Sequence, residues 1–271
     1  MNGTGERLLT EKATLRYGDR AIVTDLTVAV PDGSFTVVVG PNACGKSTLL
    51  RAFARLLKPS AGRVLLDGEH IGRLPAKELA RRLGLLPQSS SAPDGITVAD
   101  LVARGRYPHQ GLFRQWTRAD DEIVASAMAA TDVTGLARRY VDELSGGQRQ
   151  RVWLAMAIAQ QTPLLLLDEP TTFLDIAHQV EVLDLCADLH REQGRTLVAV
   201  LHDLNQAARY ATHLIVMRDG AVVAEGPPGD IVTAELVERV FDLPCQIIAD
   251  PQTGTPLVVP MAPRGRLPGA R

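Results

Sequence analysis

Short apolar runs separated by helical stretches recur along this chain. Phe35 to Val39, Leu164 to Leu167 and Leu197 to Leu201 hold a single threonine between them, so each is apolar on both sides of an extended backbone. Each is followed by a helical periodicity. Such runs predict parallel strands of an α/β sheet with helices packed over its faces. Residues 8 to 38 instead alternate with period two and turn at Pro31-Asp32-Gly33, Arg63 to Ile71 turn at Asp67-Gly68, and Leu214 to Glu225 turn at Asp219-Gly220. These segments predict antiparallel hairpins. From Gln88 to Gln160 the period becomes helical. There, Arg118 to Ala130 place Ile123, Val124, Ala127 and Met128 on one face, and Thr97 with Asp100, like Thr117 with Asp120, have the spacing of an N-cap and its N3 partner. Residues 227 to 260 predict a short helix and an irregular tail, and the Pro, Gly and Arg that dominate from Ala262 predict fraying.

The ends of the apolar runs carry the chemistry, as expected of open α/β sheets. The first run leads into Gly40-Pro41-Asn42-Ala43-Cys44-Gly45-Lys46-Ser47-Thr48 and the helical pattern Lys46 to Leu57. A strand, a glycine loop and a helix in this order make a nucleotide-phosphate site. Glycines let several backbone N–H groups face one anion, and the helix adds its positive end. Lys46 would reach the β- and γ-phosphates, and Ser47 would ligate Mg²⁺. The second run ends in Asp168-Glu169. Two adjacent carboxylates there are costly without a cation or a shared proton. Beside Mg²⁺-ATP they make sense: Asp168 positions the metal and Glu169 polarises the attacking water as a general base. The third run ends at His202, which taken alone is usually a capping or packing residue.

Composition narrows the classes. The chain has 271 residues, 45% of them hydrophobic, enough for one large or two small domains with a packed core. None of its apolar runs approaches the ~20 residues needed to cross a bilayer. Met1 to Arg7 lack the apolar core of a secretory signal, so a cytoplasmic chain is expected. Cys44, Cys186 and Cys245 have no metal-ligand spacing, which predicts reduced thiols and no disulfide. Cys44, near Lys46 and a helix N-terminus, is expected to favour thiolate, unless it is simply a small residue that fits. The net charge of −2, with basic and acidic residues interleaved, offers no cationic face, so no nucleic-acid partner is expected.

Downstream lie Leu144-Ser145-Gly146-Gly147-Gln148, a helical stretch from Arg149 to Gln160, and the strand ending in Asp168-Glu169. With the phosphate loop upstream, in this order, the chain resembles the ABC ATPase family over roughly residues 8 to 240. The resemblance implies an α/β fold: a P-loop NTPase (RecA-like) core with an antiparallel β subdomain and an α-helical signature subdomain. It implies a single ABC ATPase domain over 1–260, with the core and β subdomain at 8–88 and 162–240, the helical subdomain at 89–161 and a C-terminal extension at 241–260. A flexible tail at 261–271 would follow. ATP and Mg²⁺ are the implied cofactors.

The resemblance also assigns roles. Ser145 and Gln148 have capping-box spacing, and Gly146 and Gly147 expose N–H groups at a positive helix end. In the family this turn faces the γ-phosphate held by the opposite subunit, so two chains would pair head to tail and share two composite sites. Gln88, after Leu83 to Leu86, matches the glutamine that senses metal and water, so it joins Ser47 and Asp168 as a metal-site residue and Glu169 and His202 as a catalytic one. His202 matches the switch histidine that contacts the γ-phosphate, and Asp175 matches the loop that crosses the dimer interface. Tyr17 lies where the family places an aromatic on adenine, the alternative being a surface-strand tyrosine. Many members have Gly where this chain has Ala43. A positive φ would cost Ala roughly 1–2 kcal/mol, so Ala43 is expected in an ordinary backbone region.

Arg104-Gly105-Arg106-Tyr107-Pro108-His109, Thr171-Thr172-Phe173-Leu174-Asp175 and His202-Asp203-Leu204-Asn205-Gln206-Ala207 are typical of ATPases for ferric-siderophore, haem and cobalamin uptake. This branch implies an iron-chelate importer with a second ATPase subunit, two transmembrane permease subunits and, indirectly, a substrate-binding protein. The chain would then be peripheral, on the cytoplasmic face of the cell membrane. Arg104, Arg106, Tyr107, His109 and Trp116 are expected as exposed interface side chains. Import of cobalamin or haem, and a soluble ABC ATPase of a cytoplasmic assembly such as an iron–sulfur scaffold, stand as alternatives.

Overall fold

The computed structural model describes residues 5–88, 91–111 and 116–261. Its elements in chain order are β1 (Glu6–Tyr17), β2 (Arg20–Pro31), β3 (Phe35–Val39), α1 (Lys46–Phe53), β4 (Ala61–Leu66), β5 (Glu69–His70), α2 (Ala76–Arg82), β6 (Leu83–Leu86), α3 (Val98–Ala103), α4 (Arg118–Ala130) and α5 (Gly146–Ala159). They continue with β7 (Leu164–Asp168), α6 (Ile176–Gln193), β8 (Thr196–Val200), α7 (Leu204–Tyr210), β9 (His213–Arg218), β10 (Ala221–Gly226), α8 (Pro228–Ile231), α9 (Ala234–Phe241), β11 (Cys245–Ala249) and β12 (Pro256–Pro260).

The two-sided apolar runs become the middle of a six-stranded sheet of order β10-β9-β3-β8-β7-β6, parallel except for β10. Because side chains alternate across a strand, the runs feed two cores. Val37, Val39, Leu165, Leu167, Leu197 and Ala199 join a cluster closed by α3 to α7 and α9. Val38, Leu164, Leu166, Val198 and Val200 join one closed by α1 and a four-stranded antiparallel sheet, β2-β1-β4-β5. Each buried Leu or Val contributes about 1.5–3 kcal/mol relative to exposure, so a polar residue on either face of these strands would be destabilising.

The alternation over residues 8 to 38 spans two sheets, where one hairpin was expected. β1 and β2 pair around Gly18-Asp19, whereas Pro31-Asp32-Gly33 carries the chain across to β3. Gly18 and Gly33 both have positive φ, so turn chemistry does not distinguish the two sites. What does is the two-sided burial of β3, together with the start of β8: Gly33 N donates to Thr196 Oγ1 at 2.9 Å, and Thr196 Oγ1 donates to Asp32 Oδ1 at 3.0 Å.

Caps fall where the spacing puts them. Thr97 accepts from Asp100 N, and Thr117 with Asp120 and Ser145 with Gln148 form full capping boxes. α4 buries Val124, Ala127 and Met128. The tail corrects the expectation of irregular structure: β11 and β12 form a hairpin. The Asn205 side chain on α7 anchors it, accepting from Val258 N at 2.7 Å and donating to Val258 O at 3.2 Å. Its prolines sit at the ends of β12, where strand geometry tolerates them, and they masked the strand signal.

Arg106 is a third correction. It lies in a 3-10 turn, Arg104–His109, and is 4% exposed, held in an ion pair with Asp120. Tyr107 and Trp116 are exposed. Arg106→Glu would therefore set two carboxylates together in a buried pocket and damage folding. Of the flexible tail expected at 261–271, all but Met261 lies outside the described residues.

Candidate active site

The parallel strands β3, β7 and β8 end side by side, and the loops that follow them build one cleft. Gly40 follows β3 with φ 153°, and a Cβ there would lie 2.1 Å from Met217 O, so only glycine fits. Cys44 N donates to Pro41 O at 3.4 Å, closing a turn whose third residue, Ala43, has φ 62°. This overturns the expected ordinary backbone at Ala43. The turn requires a left-handed residue there, and Ala takes it at a cost of roughly 1–2 kcal/mol.

Lys46 opens α1, is 5% exposed, and donates from Nζ to Gly40 O at 2.8 Å and Pro41 O at 2.9 Å. Ser47 Oγ donates to Asp168 Oδ1 at 2.9 Å, joining the start of α1 to the end of β7. Cys44 is buried. Burial outweighs the nearby Lys46 charge and pushes its thiol up, which favours the small residue that fits over the thiolate.

Glu169 has φ 54° and is largely buried. Its Oε1 lies 2.7 Å from His202 Nε2, and its Oε2 accepts from Thr172 Oγ1 at 3.1 Å. Burial pushes the Glu169 carboxyl up, but the His202 hydrogen bond and charge, with the Thr172 and Gln88 side chains, outweigh it and hold the group below its ordinary range. Asp203 N-caps α7 by accepting from Gln206 N at 2.9 Å, which fixes the backbone next to His202.

Together Asn42, Lys46, Ser47, Thr48, Glu169 and His202 line a cleft of about 290 Å³. Arg20 and Ile22 complete its rim. Tyr17 lies outside this cleft. It lines the neighbouring one with Arg51, Gln88 and Asp168, and its hydroxyl accepts from Arg51 Nη1 at 3.2 Å.

Ser145, Gly146, Gly147, Gln148 and Asp175 are not brought to the cleft of their own chain. Ser145 caps α5. Cβ atoms at Gly146 and Gly147 would lie 3.5 Å from Phe173 Cβ and 3.1 Å from Leu174 Cδ2, so this turn packs on the loop before α6. Asp175 caps α6, accepting from His178 N at 3.0 Å. Phe173 and Ile176 beside it are 75% and 79% exposed, an unusual display for large apolar side chains.

Sequence reasoning passed over Thr172 and Gln150. Gln150 Nε2 donates to the carbonyls of Glu169 and Pro170 at 3.4 and 3.3 Å, fixing the carboxylate's backbone. Thr172, three residues after Glu169, had a signal in its spacing. Arg20 and Ile22 had none, because a strand pairing brings them to the rim.

The donor set fits a hard divalent cation. Burial pushes the Asp168 carboxyl up, with the charge of Glu169 adding to it against the Ser47 hydrogen bond, so a cation would relieve the site. Among the described residues no cluster of three His, Cys, Asp or Glu could hold a metal by itself. A Ser47–Asp168 pair completed by phosphate oxygens and water is the arrangement Mg²⁺ prefers.

A consequence follows for Asp168→Asn. A carboxyl whose folded pKa exceeds its unfolded value destabilises the nucleotide-free protein above that range and is relieved as pH falls through the folded pKa. Asparagine mimics the protonated form. The variant should therefore unfold at a higher temperature than wild type at pH 7 without nucleotide, and should lose the Mg²⁺-dependent part of ATP stabilisation. A lowered apo midpoint in thermal melts would refute this account of Asp168.

The geometry has counterparts in known proteins. Residues 23–172 match the ABC transporter family profile. The chain is 59% identical over 255 residues to the ferric enterobactin transport ATP-binding protein FepC of Escherichia coli, covering 94% of each. It is 50% identical over 253 residues to the petrobactin import ATP-binding protein FpuD of Bacillus anthracis, covering 93% of each. Its fold matches the dimeric structure of MJ0796, a bacterial ABC transporter cassette, with a TM-score of 0.74 at 26% identity over 81% of this chain and 98% of that one. The phosphate loop, the paired carboxylates and the histidine after β8 are thus set in a scaffold shared along the chain, which belongs to the ABC transporter family.

Proposed function

We propose that this chain is the ATP-hydrolysing subunit of an importer for ferric siderophores, working as a pair of copies beneath two separate permease subunits. The observation that carries the ATPase reading is the convergence of Lys46, Ser47 and the Glu169–His202 pair in one cleft, with Ser47 bonded to Asp168 on the edge of the adjoining one. The relatives' transport roles support the iron-chelate cargo.

In this reading the loop from Gly40 to Thr48 cradles the phosphates with its N–H groups, and Lys46 turns its spare donor to them. Mg²⁺, held by Ser47 and Asp168 with Gln88 nearby, would neutralise phosphate charge. Glu169, kept ionised, accepts a proton from the attacking water. His202, now bonded to Glu169, exchanges that partner for the γ-phosphate. Tyr17, on the adjoining cleft beside Arg51, would stack on the adenine.

Ser145, Gly146, Gly147 and Gln148 serve the nucleotide of the second copy, and Asp175 crosses to it. Their separation from their own chain's cleft, with Phe173 and Ile176 exposed alongside, supports the pairing. Closure on ATP and reopening after hydrolysis would drive the permeases. The domain division into a core at 8–88 and 162–240, a helical unit at 89–161 and an extension at 241–260 follows the same reading. No helix among the described residues is long and apolar enough to cross a membrane, so in this reading the cargo's path is supplied by the permeases, with this subunit peripheral on the cytoplasmic side and a substrate-binding protein reached indirectly.

Cells lacking the gene should lose uptake of radio-iron presented as ferric enterobactin under iron limitation, and a Glu169→Gln copy should not restore it. Normal iron-chelate uptake with a defect in cobalamin or haem uptake would reject the cargo while keeping the importer. Normal uptake of all three, with no multi-spanning protein co-purifying, would favour a soluble assembly ATPase.

A further inference from the structure

The buried arginine in the turn after the Gln88 segment ties together three pieces of the molecule. Helix α5 has 14 residues, about 21 Å at 1.5 Å per residue. The Ser145–Gly147 turn lies at its N-terminus. At its other end the carbonyls of Ala159 and Gln160 have no helical partners left. Arg106 Nη1 donates to Ala159 O at 2.8 Å, and His109 Nε2 lies 2.7 Å from Gln160 O. The same guanidinium donates from Nε to Asp120 Oδ1 at 2.9 Å, inside the N-terminal capping box of α4, and from Nη1 to Gln161 Oε1 at 3.1 Å. Gly105 backs onto α5, where a Cβ would lie 2.3 Å from Met156 O. On the core side, Arg81 Nε donates to Pro108 O at 2.8 Å, and Lys77 Nζ donates to Gln110 O. Tyr107, between these anchors, stands 57% exposed.

A guanidinium at a helix C-terminus matches the helix dipole, but stability alone is a weak reason to bury an ion pair. Apolar residues of similar volume commonly do as well or better. What they do not supply is direction, since an apolar contact permits rolling whereas a planar fork fixes the angle between the groups it joins.

We propose that Arg106 is a positioning residue that makes the surface turn 104–110 and helix α5 one rigid piece. A push on Tyr107 then moves the Ser145–Gly147 turn at the far end of the helix. The inference rests on the importer reading for the source of that push, the permease.

The test uses the assembled transporter in proteoliposomes and the isolated subunit in parallel. Arg106→Lys keeps the charge and loses the fork. The isolated subunit should keep its thermal midpoint within a few degrees and its basal kcat and KM within about twofold, while permease-stimulated ATP turnover and uptake fall about tenfold, the scale of losing one charge-assisted hydrogen bond. Arg106→Leu with Asp120→Asn removes the ion pair but keeps the acceptor that closes the capping box of α4. It should also hold the thermal midpoint within a few degrees but lose the stimulation, a split that a merely structural arginine would not produce. Wild-type stimulation in both variants overturns the proposal. An unresponsive wild-type complex overturns the importer reading, and this inference with it, whatever the variants do.

Discussion

Glu169→Gln should leave ATP affinity near that of wild type, cut steady-state hydrolysis by about 10²–10⁴-fold and accumulate an ATP-bound dimer. The amide is isosteric with the carboxylate, so it can still accept from Thr172 Oγ1, now 3.1 Å from Oε2, and the backbone remains braced by Gln150. What it loses is the ability to take a proton. In wild type that ability depends on the group being ionised, which His202 and Thr172 secure against the effect of burial. In the proposed cycle phosphate loading and closure come before proton transfer, so the variant should stall after closure. Equilibrium ATP binding, phosphate release and size-exclusion chromatography with and without ATP read the three expectations separately. Near-normal phosphate release would remove Glu169 from the role of general base and move attention to His202.

The legible parts of this molecule were those where one local physical rule sufficed. Four consecutive leucines before Asp168 have few homes except a strand covered on both faces, and Ser145 with Gln148 fixes a helix start whatever lies beyond. The misreadings came where a distant partner decides. Ala43 takes a left-handed backbone because the turn from Pro41 to Cys44 demands it, a demand the side chain does not display. Arg106 looks like a surface cation until Asp120, 14 residues on, and the end of α5 fold around it. The terminal hairpin depends on Asn205, 53 residues before Val258. Neither Ser145 nor Asp175 lines the phosphate-loop cleft of its own chain, so the proposed place for them in a partner's site rests on the family resemblance alone.

Lys46→Met should weaken ATP binding roughly ten- to hundred-fold while leaving the nucleotide-free fold nearly unchanged. The Lys46 ammonium is almost fully buried, and its hydrogen-bond partners are the neutral carbonyls of Gly40 and Pro41. A buried cation without a counter-charge is unfavourable, and a phosphate is the group that would compensate it. Methionine matches the stem in length and packs flexibly. Removing the charge relieves desolvation, and leaving two carbonyls without their donor costs about 1–3 kcal/mol each when they stay dry. These effects oppose each other, so the apo midpoint should move by only a few degrees. The ligand-bound state has no such balance. Each hydrogen bond from the ammonium to a phosphate oxygen is worth about 1.5–3 kcal/mol, so its removal weakens binding roughly ten- to hundred-fold. Wild type at about 100 times its Kd should gain about 2.7 kcal/mol, a rise of roughly 5–10 °C in the midpoint. The variant at the same ATP concentration, now only about 1–10 times its own Kd, should keep about 0.4–1.4 kcal/mol of it, roughly half the shift or less. A full ATP-induced shift in Lys46→Met would mean that the loop N–H groups and the start of α1 hold the phosphates unaided, and that the buried ammonium serves only to close the Gly40–Pro41 turn.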